Sequence, residues 1–551
     1  MRVYHILFFI FSFSVLNMSF KPAELKIDVD QYQLPVLKQK ENNPVLRIKI
    51  TSDKDGATIT KLHFTTLGTS DLKDISSVRL FFYGKDSMPG NMDNRKRLPL
   101  AVLKNIKKEM IFTGEQKLQK GENYFWLSYE LSSDASLLNF VDAGLLSVSI
   151  DGKRTRPSGK ENKIKQRIGV AVRKHKQDNV HTSRIPGLAT TNKGTLIAIF
   201  DARYENARDL QGHIDIGIHR SEDGGNTWKP LQIVMDMNEW GGLPQKFNGV
   251  SDACILVDKK SSDIYIAGLW MHGVINEDGK WIENLTEESD AWNHQWRNKA
   301  SQPGYVVNET SQFLVVKSTD DGKTWSKPEN ITKMGKQRNW WLWAPAPGQG
   351  ITLKDGTLVF PTQGRDENGK AFSNITFSKD GAKTWTSSNR AINESTTECM
   401  AVELMDGSIM LNMRANSNKG NTGPTNGRSV AITKDLGKTW TEHPTSHSAL
   451  PEPVCMGSIH RHDFSKNHKK QSILLFSNPD SKIKRHRLSI KISDDDGMSW
   501  NRYQPLLLDE WNSRGYSCLT SIDEHTVGIL YESSQADMVF QAVPVKELLK
   551  K

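Results

Sequence analysis

The eight residues Ser318–Trp325, "STDDGKTW", decide the fold of this chain because the chain writes them five times. Near copies are "SEDGGNTW" ending at Trp228, "SKDGAKTW" at Trp385, "TKDLGKTW" at Trp440 and "SDDDGMSW" at Trp500. Each follows a run with strand character, such as "HIDIGIHR", "SNITF" or "RSVAIT". An Asp followed closely by Gly makes a tight turn, because the carboxylate accepts backbone N–H bonds and glycine tolerates positive φ. The closing Trp then offers a large apolar face to a neighbouring unit. The tryptophans are spaced by 97, 60, 55 and 60 residues. A near-constant period of this size predicts stacked β units, as in a propeller. The longer first interval leaves room for an insertion, which the Trp-rich "NLTEESDAWNHQW" at 284–296 fits. Ala382 stands where the other copies carry Gly, and this predicts one weakened turn.

A second repeat runs through the same region: "KGTLIAIFDAR" ends at Arg203, "DGTLVFPTQGR" at Arg365 and "DGSIMLNMR" at Arg414. In each, a Gly turn launches an apolar strand that finishes in arginine. Inner strands of a propeller point toward one funnel, so the expectation is that these strand-end arginines converge there.

With 551 residues, 37% of them hydrophobic, 15 Trp and 20 Phe, the chain has enough apolar mass for more than one packed core. Residues 21–150 alternate apolar and polar residues in short runs such as "NPVLRIKI" and "ENYFWLSYEL", the pattern of an antiparallel β-sandwich. The segment 151–167 carries seven Lys or Arg against two acids without an apolar period, and reads as a linker to a propeller over 168–551. At the N-terminus Arg2 precedes the apolar run Ile6–Leu16, which is too short for a bilayer span of about 20 residues. It reads as a secretory signal peptide over 1–20, so a secreted or periplasmic location is expected. Cys254, Cys399, Cys455 and Cys518 are widely spread and lack C-x-x-C spacing, which disfavours a zinc site and points to isolated buried thiols. The formal charge of +10 suits an anionic partner without choosing among nucleic acid, membrane surface and acidic sugar.

The five units match the Asp box, S-x-D-x-G-x-T-W, and together with "SRIPGL" at 183–188 they make the chain resemble the bacterial exo-α-sialidases (neuraminidases) over residues 168–545. Residues 24–150 resemble the N-terminal carbohydrate-binding-type domain of some of these enzymes. The resemblance implies an all-β architecture, a six-bladed β-propeller preceded by a β-sandwich, acting on sialylated glycoproteins, glycolipids and oligosaccharides. It implies no metal, no organic cofactor and no nucleic-acid partner. Three arginines would hold the substrate carboxylate: Arg184, Arg414 and Arg485, with Arg487 on the same strand face as the alternative to the last. Guanidinium suits this work because its planar fork donates two parallel hydrogen bonds and keeps its charge.

The resemblance places the nucleophile at Tyr516 in "GYSCLT" and its partner base at Glu398 in "TTECMAVEL". A sialic acid carries its carboxylate on the anomeric carbon, so an attacking carboxylate would meet like charge; at 4 Å and an effective dielectric of 20 the repulsion is about 4 kcal/mol. That is nearly three powers of ten in rate. A neutral phenol avoids it but needs a base to remove its proton. The general acid maps to Asp209 in "ARDLQGHIDI", with Asp215 and Asp201 as rivals. Asp252 maps to a pocket acid near the sugar's amide and hydroxyls, Glu532 to the acid that braces Arg184, and Arg203 to the pocket floor. Two other readings share many of these residues. A transferase, intermolecular or intramolecular, would add an aromatic acceptor wall, for which Trp270, Trp292, Trp296 and Trp341 are candidates. A non-catalytic glycan-binding propeller would need the arginines but no activated phenol.

Overall fold

The computed structural model describes residues 25–550 apart from 89–91, 93–96, 159–163, 210–211, 308, 393 and most of 273–300. The apolar run Ile6–Leu16 and most of the 284–296 stretch, Trp292 and Trp296 included, lie outside the described residues. Among the described residues no helix is long and apolar enough to cross a membrane.

Two sheets form the first unit. One orders the strands Lys26–Asp30, Asn43–Ser52, Gly121–Leu131, Ile75–Gly84 and Ala101–Leu103; the other orders Lys153–Thr155, Gly144–Ile150, Thr58–Thr65 and Glu109–Lys117. Their inward residues, among them Ile48, Phe125, Phe64 and Phe112, share one core, so the unit is the expected sandwich.

Six blades of four strands follow. The first is Thr182–Thr190, Leu196–Arg203, Ile214–Ser221 and Gln232–Met235, and the next four repeat this meander up to Asp509. The sixth is assembled from both ends of the propeller: Ser517–Asp523, Thr526–Tyr531 and Met538–Pro544 are completed by Gln166–Arg173, with Val170 opposite Phe540. The first strands of successive blades touch around the axis. The sandwich is stitched to the rim of the sixth blade, because Val36–Lys38 and Phe140–Val141 both pair with Gln166–Arg173. Nearby the Glu510 N–H donates to the Gln33 carbonyl at 2.8 Å and the Gln33 N–H to the Glu510 carboxylate at 3.1 Å, and Tyr32 and Trp126 of the sandwich meet Trp511 of the propeller with ring centroids 5.4 and 5.8 Å away.

The opening motif is the turn between third and fourth strands in five of the blades. In the first, Ser221 Oγ accepts from Gly225 N–H at 2.9 Å, and Asp223 accepts from the Thr227 backbone and hydroxyl at 2.9 and 2.6 Å. Its copies repeat the pattern, and the Thr384 and Thr439 bonds hold Asp380 and Asp435 down to about 2. The fourth and fifth positions are both left-handed: Asp321 and Gly322 at φ 67° and 76°, Leu436 and Gly437 at 57° and 76°. The tryptophans then seat between blades. Trp228 packs edge-on to Phe540 of the sixth blade at 5.2 Å, and Trp385 of the third lies 6.5 Å from Tyr265 of the second.

One expectation changes in detail. The strands that end in Arg203, Arg365 and Arg414 are the second strands of their blades rather than the innermost, so they approach the funnel from behind the inner row. The Ala382 turn keeps the shared geometry, with Ala382 N–H on Ser378 Oγ at 2.9 Å and φ 66°.

The fifth box position therefore gives substitutions of opposite sign. A Cβ on Gly225 would fall 2.0 Å from Phe540 Cε1, so Gly225→Ala is expected to lower stability by about 3 kcal/mol. Ala382→Gly relieves left-handed strain and should raise it by about 0.5 to 1 kcal/mol. Thermal melting of the two variants beside wild type reads both; a shift in the same direction for both would refute this account.

Candidate active site

The inner strands are irregular where they reach the funnel. Pairing slips between Arg184 and Gly187, between Ser251 and Cys254 and between Thr396 and Cys399. Such bulges re-aim side chains. Ile185 and Asp252 sit at φ 61° and 56°, a left-handed conformation that is costly for the β-branched Ile185 and is retained where surrounding structure fixes it. The bulges deliver Arg184, Asp252 and Glu398 to one cavity of about 330 Å³, where Arg414, Arg485, Asp209 and Tyr516 also open.

The Tyr516 hydroxyl donates to Glu398 Oε1, and Arg414 Nη1 donates to the other Glu398 oxygen at 2.7 Å and to the Tyr516 hydroxyl at 3.2 Å. Arg184 and Arg485 stand 5.5 and 5.6 Å from the Tyr516 ring centre. Burial pushes the phenol well above its ordinary value and Glu398 adds to the effect, while Arg414 and Arg485 oppose it. Tyr516 therefore rests as a protonated phenol with an acceptor already in place.

Each guanidinium is tied back on one side. Arg184 Nε donates to Glu532, whose carboxylate also receives the Ile185 N–H at 3.1 Å and the Tyr516 N–H at 3.0 Å. Burial alone would raise the Glu532 carboxyl, but Arg184 together with the Ile185 and Tyr516 N–H groups outweighs it and the net direction is down. Arg485 donates to the carbonyls of Arg514 and Val454, both at 3.0 Å. Arg414 Nε is buried and has no acceptor among the described residues.

Asp209 lies on the loop between Arg203 and Ile214, half exposed, bonded to Arg203 and 3.7 Å from Arg184. Both ends of that loop are fastened. Tyr204 and His213 stack with centroids 4.0 Å apart, and Asp215 accepts from the Tyr204 hydroxyl at 2.9 Å. Of the rival carboxylates, Asp215 is occupied in this way and Asp201 is fully buried against Arg203 and Ser251. Arg203 is itself buried, so it lies beneath the floor and reaches the cavity through Asp209. Asp252 is pushed well above the ordinary carboxyl range by burial and by Asp201, Glu398 and Asp209, which keeps it protonated and able to donate. Trp270 is a core residue packed on Trp240 at 4.3 Å, so it cannot serve as an acceptor wall. Arg365 and Gln363 line the cavity without having been singled out for it; the strand-end repeat was the signal that held Arg365.

Among the described residues, His213, Asp215 and Asp236 have ligand atoms within 4.8 Å of one another and could hold a cation. Their oxygens and ring nitrogen are engaged, however, by Tyr204 and by Gln245 Nε2, which lies 3.0 Å from His213 and 3.2 Å from Asp236. All four cysteines are buried and free.

Comparison with known proteins identifies the family. The model of the BNR repeat-like domain matches residues 185–500, and that of the N-terminal domain of BNR-repeat neuraminidase matches residues 24–154. A sialidase of Bacteroides fragilis is 40% identical over 546 residues, 95% of each chain. The chain belongs to the BNR-repeat sialidases. This sialidase also superposes on the Hadza microbial sialidase Hz136 with a TM-score of 0.85 at 36% identity, covering 95% of this chain and 100% of that one. A Paraclostridium sordellii sialidase is 30% identical over 378 residues, 65% of this chain and 84% of its own. The sialidase is thus a glycoside hydrolase.

Because the folded Glu532 carboxyl titrates below its unfolded value of about 4.3, its contribution is whole above that pH and is lost as pH falls through the folded value. Glu532→Gln is expected to cost about 3 kcal/mol at pH 7, as for one broken partner of a buried pair. The melting-temperature gap to wild type should close as the pH is lowered below the unfolded value and through the folded one. A gap independent of pH would show that the charge is not what matters.

Proposed function

We propose that the chain is an exo-α-sialidase that releases terminal α-linked sialic acid with retention of configuration through a tyrosyl intermediate. The observation that carries this reading is the Tyr516 hydroxyl held on Glu398, with Arg184 and Arg485 against the ring and Arg414 on both partners. The three guanidinium groups grip the carboxylate on the anomeric carbon. As Tyr516 Oη attacks that carbon, Glu398 takes the phenolic proton. Asp209 gives its proton to the departing glycosidic oxygen. In the second half Asp209 takes a proton from water, the water oxygen attacks the anomeric carbon, and Tyr516 leaves with the proton returned by Glu398.

In the free protein Asp209 is bonded to Arg203 and lies 3.7 Å from Arg184. A substrate carboxylate would compete with Asp209 for Arg184. Protonated Asp252 would donate to a polar group of the sugar. Terminal sialosides of glycoproteins, glycolipids and oligosaccharides fit this chemistry, and the apolar run Ile6–Leu16 supports export to where such glycans are met.

Tyr516→Phe should lower release from an aryl sialoside at least about 10³-fold while substrate binding persists. A fluorinated sialosyl inactivator should add its mass to the peptide that contains Tyr516. Labelling elsewhere, or retained turnover in the phenylalanine variant, would defeat the tyrosyl mechanism. Turnover should be bell-shaped on the acid side of neutral, since Glu398 must be ionised and Asp209 protonated; a rate unchanged from pH 4 to about 8 would count against that pairing.

A further inference from the structure

The segments Arg485–Arg487 and Asn512–Arg514 lie side by side. Ser513 N–H donates to the Arg485 carbonyl at 2.8 Å, and Arg485 Nη1 to the Arg514 carbonyl at 3.0 Å. One end of this pair faces the catalytic cavity, where Arg485 stands against Tyr516. The other end lines a separate crevice of about 510 Å³ between propeller and sandwich, to which Tyr32, Trp511, Arg487, His486 and Asn512 contribute. Arg485 and Arg487 would share a face in a regular strand. Arg487 is left-handed at φ 58°, and the two side chains line different openings.

The crevice has the make-up of a sugar site. Tyr32 and Trp511 are half-buried aromatics that leave part of their rings accessible. Arg487 and Asn512 are exposed, and among the described residues no hydrogen bond or ion pair engages their side chains or that of His486. An apolar ligand would leave them unsatisfied, whereas a pyranose offers a C–H face to an indole and hydroxyls to guanidinium, imidazole and amide. The volume falls within the usual range for small-ligand sites, roughly 300 to 1,000 Å³.

We propose that this crevice is a carbohydrate subsite for the neutral sugars beneath the terminal sialic acid, so that the glycan is held on both sides of the cleaved bond. The proposal rests on the exo-sialidase reading and deepens it. Its test compares sialyllactose, an aryl sialoside that lacks an underlying sugar, and free lactose, using wild type, Arg487→Ala and Arg487→Ala with Asn512→Ala. Both side chains are exposed, and melting curves confirm folding. The KM for sialyllactose should rise about tenfold in the double variant while kcat and aryl-sialoside turnover stay within about twofold. Saturation-transfer NMR should detect lactose on wild type and lose it in the double variant. Equal losses on both sialosides, no lactose signal on wild type, or a signal untouched by the substitutions would overturn the subsite. If wild type cleaved no sialoside at all, the sialidase reading would fall instead, and the lactose signal would still judge the crevice.

Discussion

One buried carboxylate holds the centre of this molecule together. Glu532 follows the second strand of the last blade, yet it accepts from Arg184 and Ile185 on the inner strand of the first blade and from the Tyr516 backbone. The same three bonds close the ring of blades, hold a β-branched residue at positive φ and fix the backbone at Tyr516. An unpaired carboxylate at such a depth would be costly, so the arginine and the acid each depend on the other. The bulge at Arg184 is affordable because this carboxylate defines it.

The cavity is a managed excess of positive charge. Arg184, Arg414 and Arg485 open into it, and three like charges at such range would repel by several kcal/mol without support. Glu532 and Glu398 stand behind two of them, and backbone carbonyls hold the third. Burial raises the Asp252 carboxyl well above its ordinary range, and the charge of Asp201 is matched by buried Arg203. What remains is a field that welcomes an anion, with a proton donor among the cations. Hydrogen bonds to charged groups contribute about 1.5 to 3 kcal/mol each, enough for three guanidinium groups to separate an acidic sugar from a neutral one.

The repeating box was legible because its chemistry is local: Asp223 and Thr227 meet within five residues, and the turn needs only short contacts. Residues carried by the sialidase resemblance, from Arg184 to Tyr516, come together because family motifs mark them individually. The sequence pattern is silent where partners lie far apart. Nothing local shows that Gln166–Arg173 completes the sixth blade, which has no box, or that Val36–Lys38 extends it. The bulges at Ile185 and Asp252 were equally hidden, since isoleucine and aspartate do not advertise left-handed backbone. Arg203 looked like pocket lining because a strand end can face either way, and only packing shows it turned beneath Asp209.

The interlocked sixth blade has a bearing on the life of the chain. Its outer strand comes from the start of the propeller and its other three from residues 517–544, so the ring cannot shut until that later stretch has been made. Tyr516 leads into that stretch and Glu532 lies within it, and Arg184 waits for them across the seam. A growing polypeptide therefore holds most of the scaffold before its cavity is assembled.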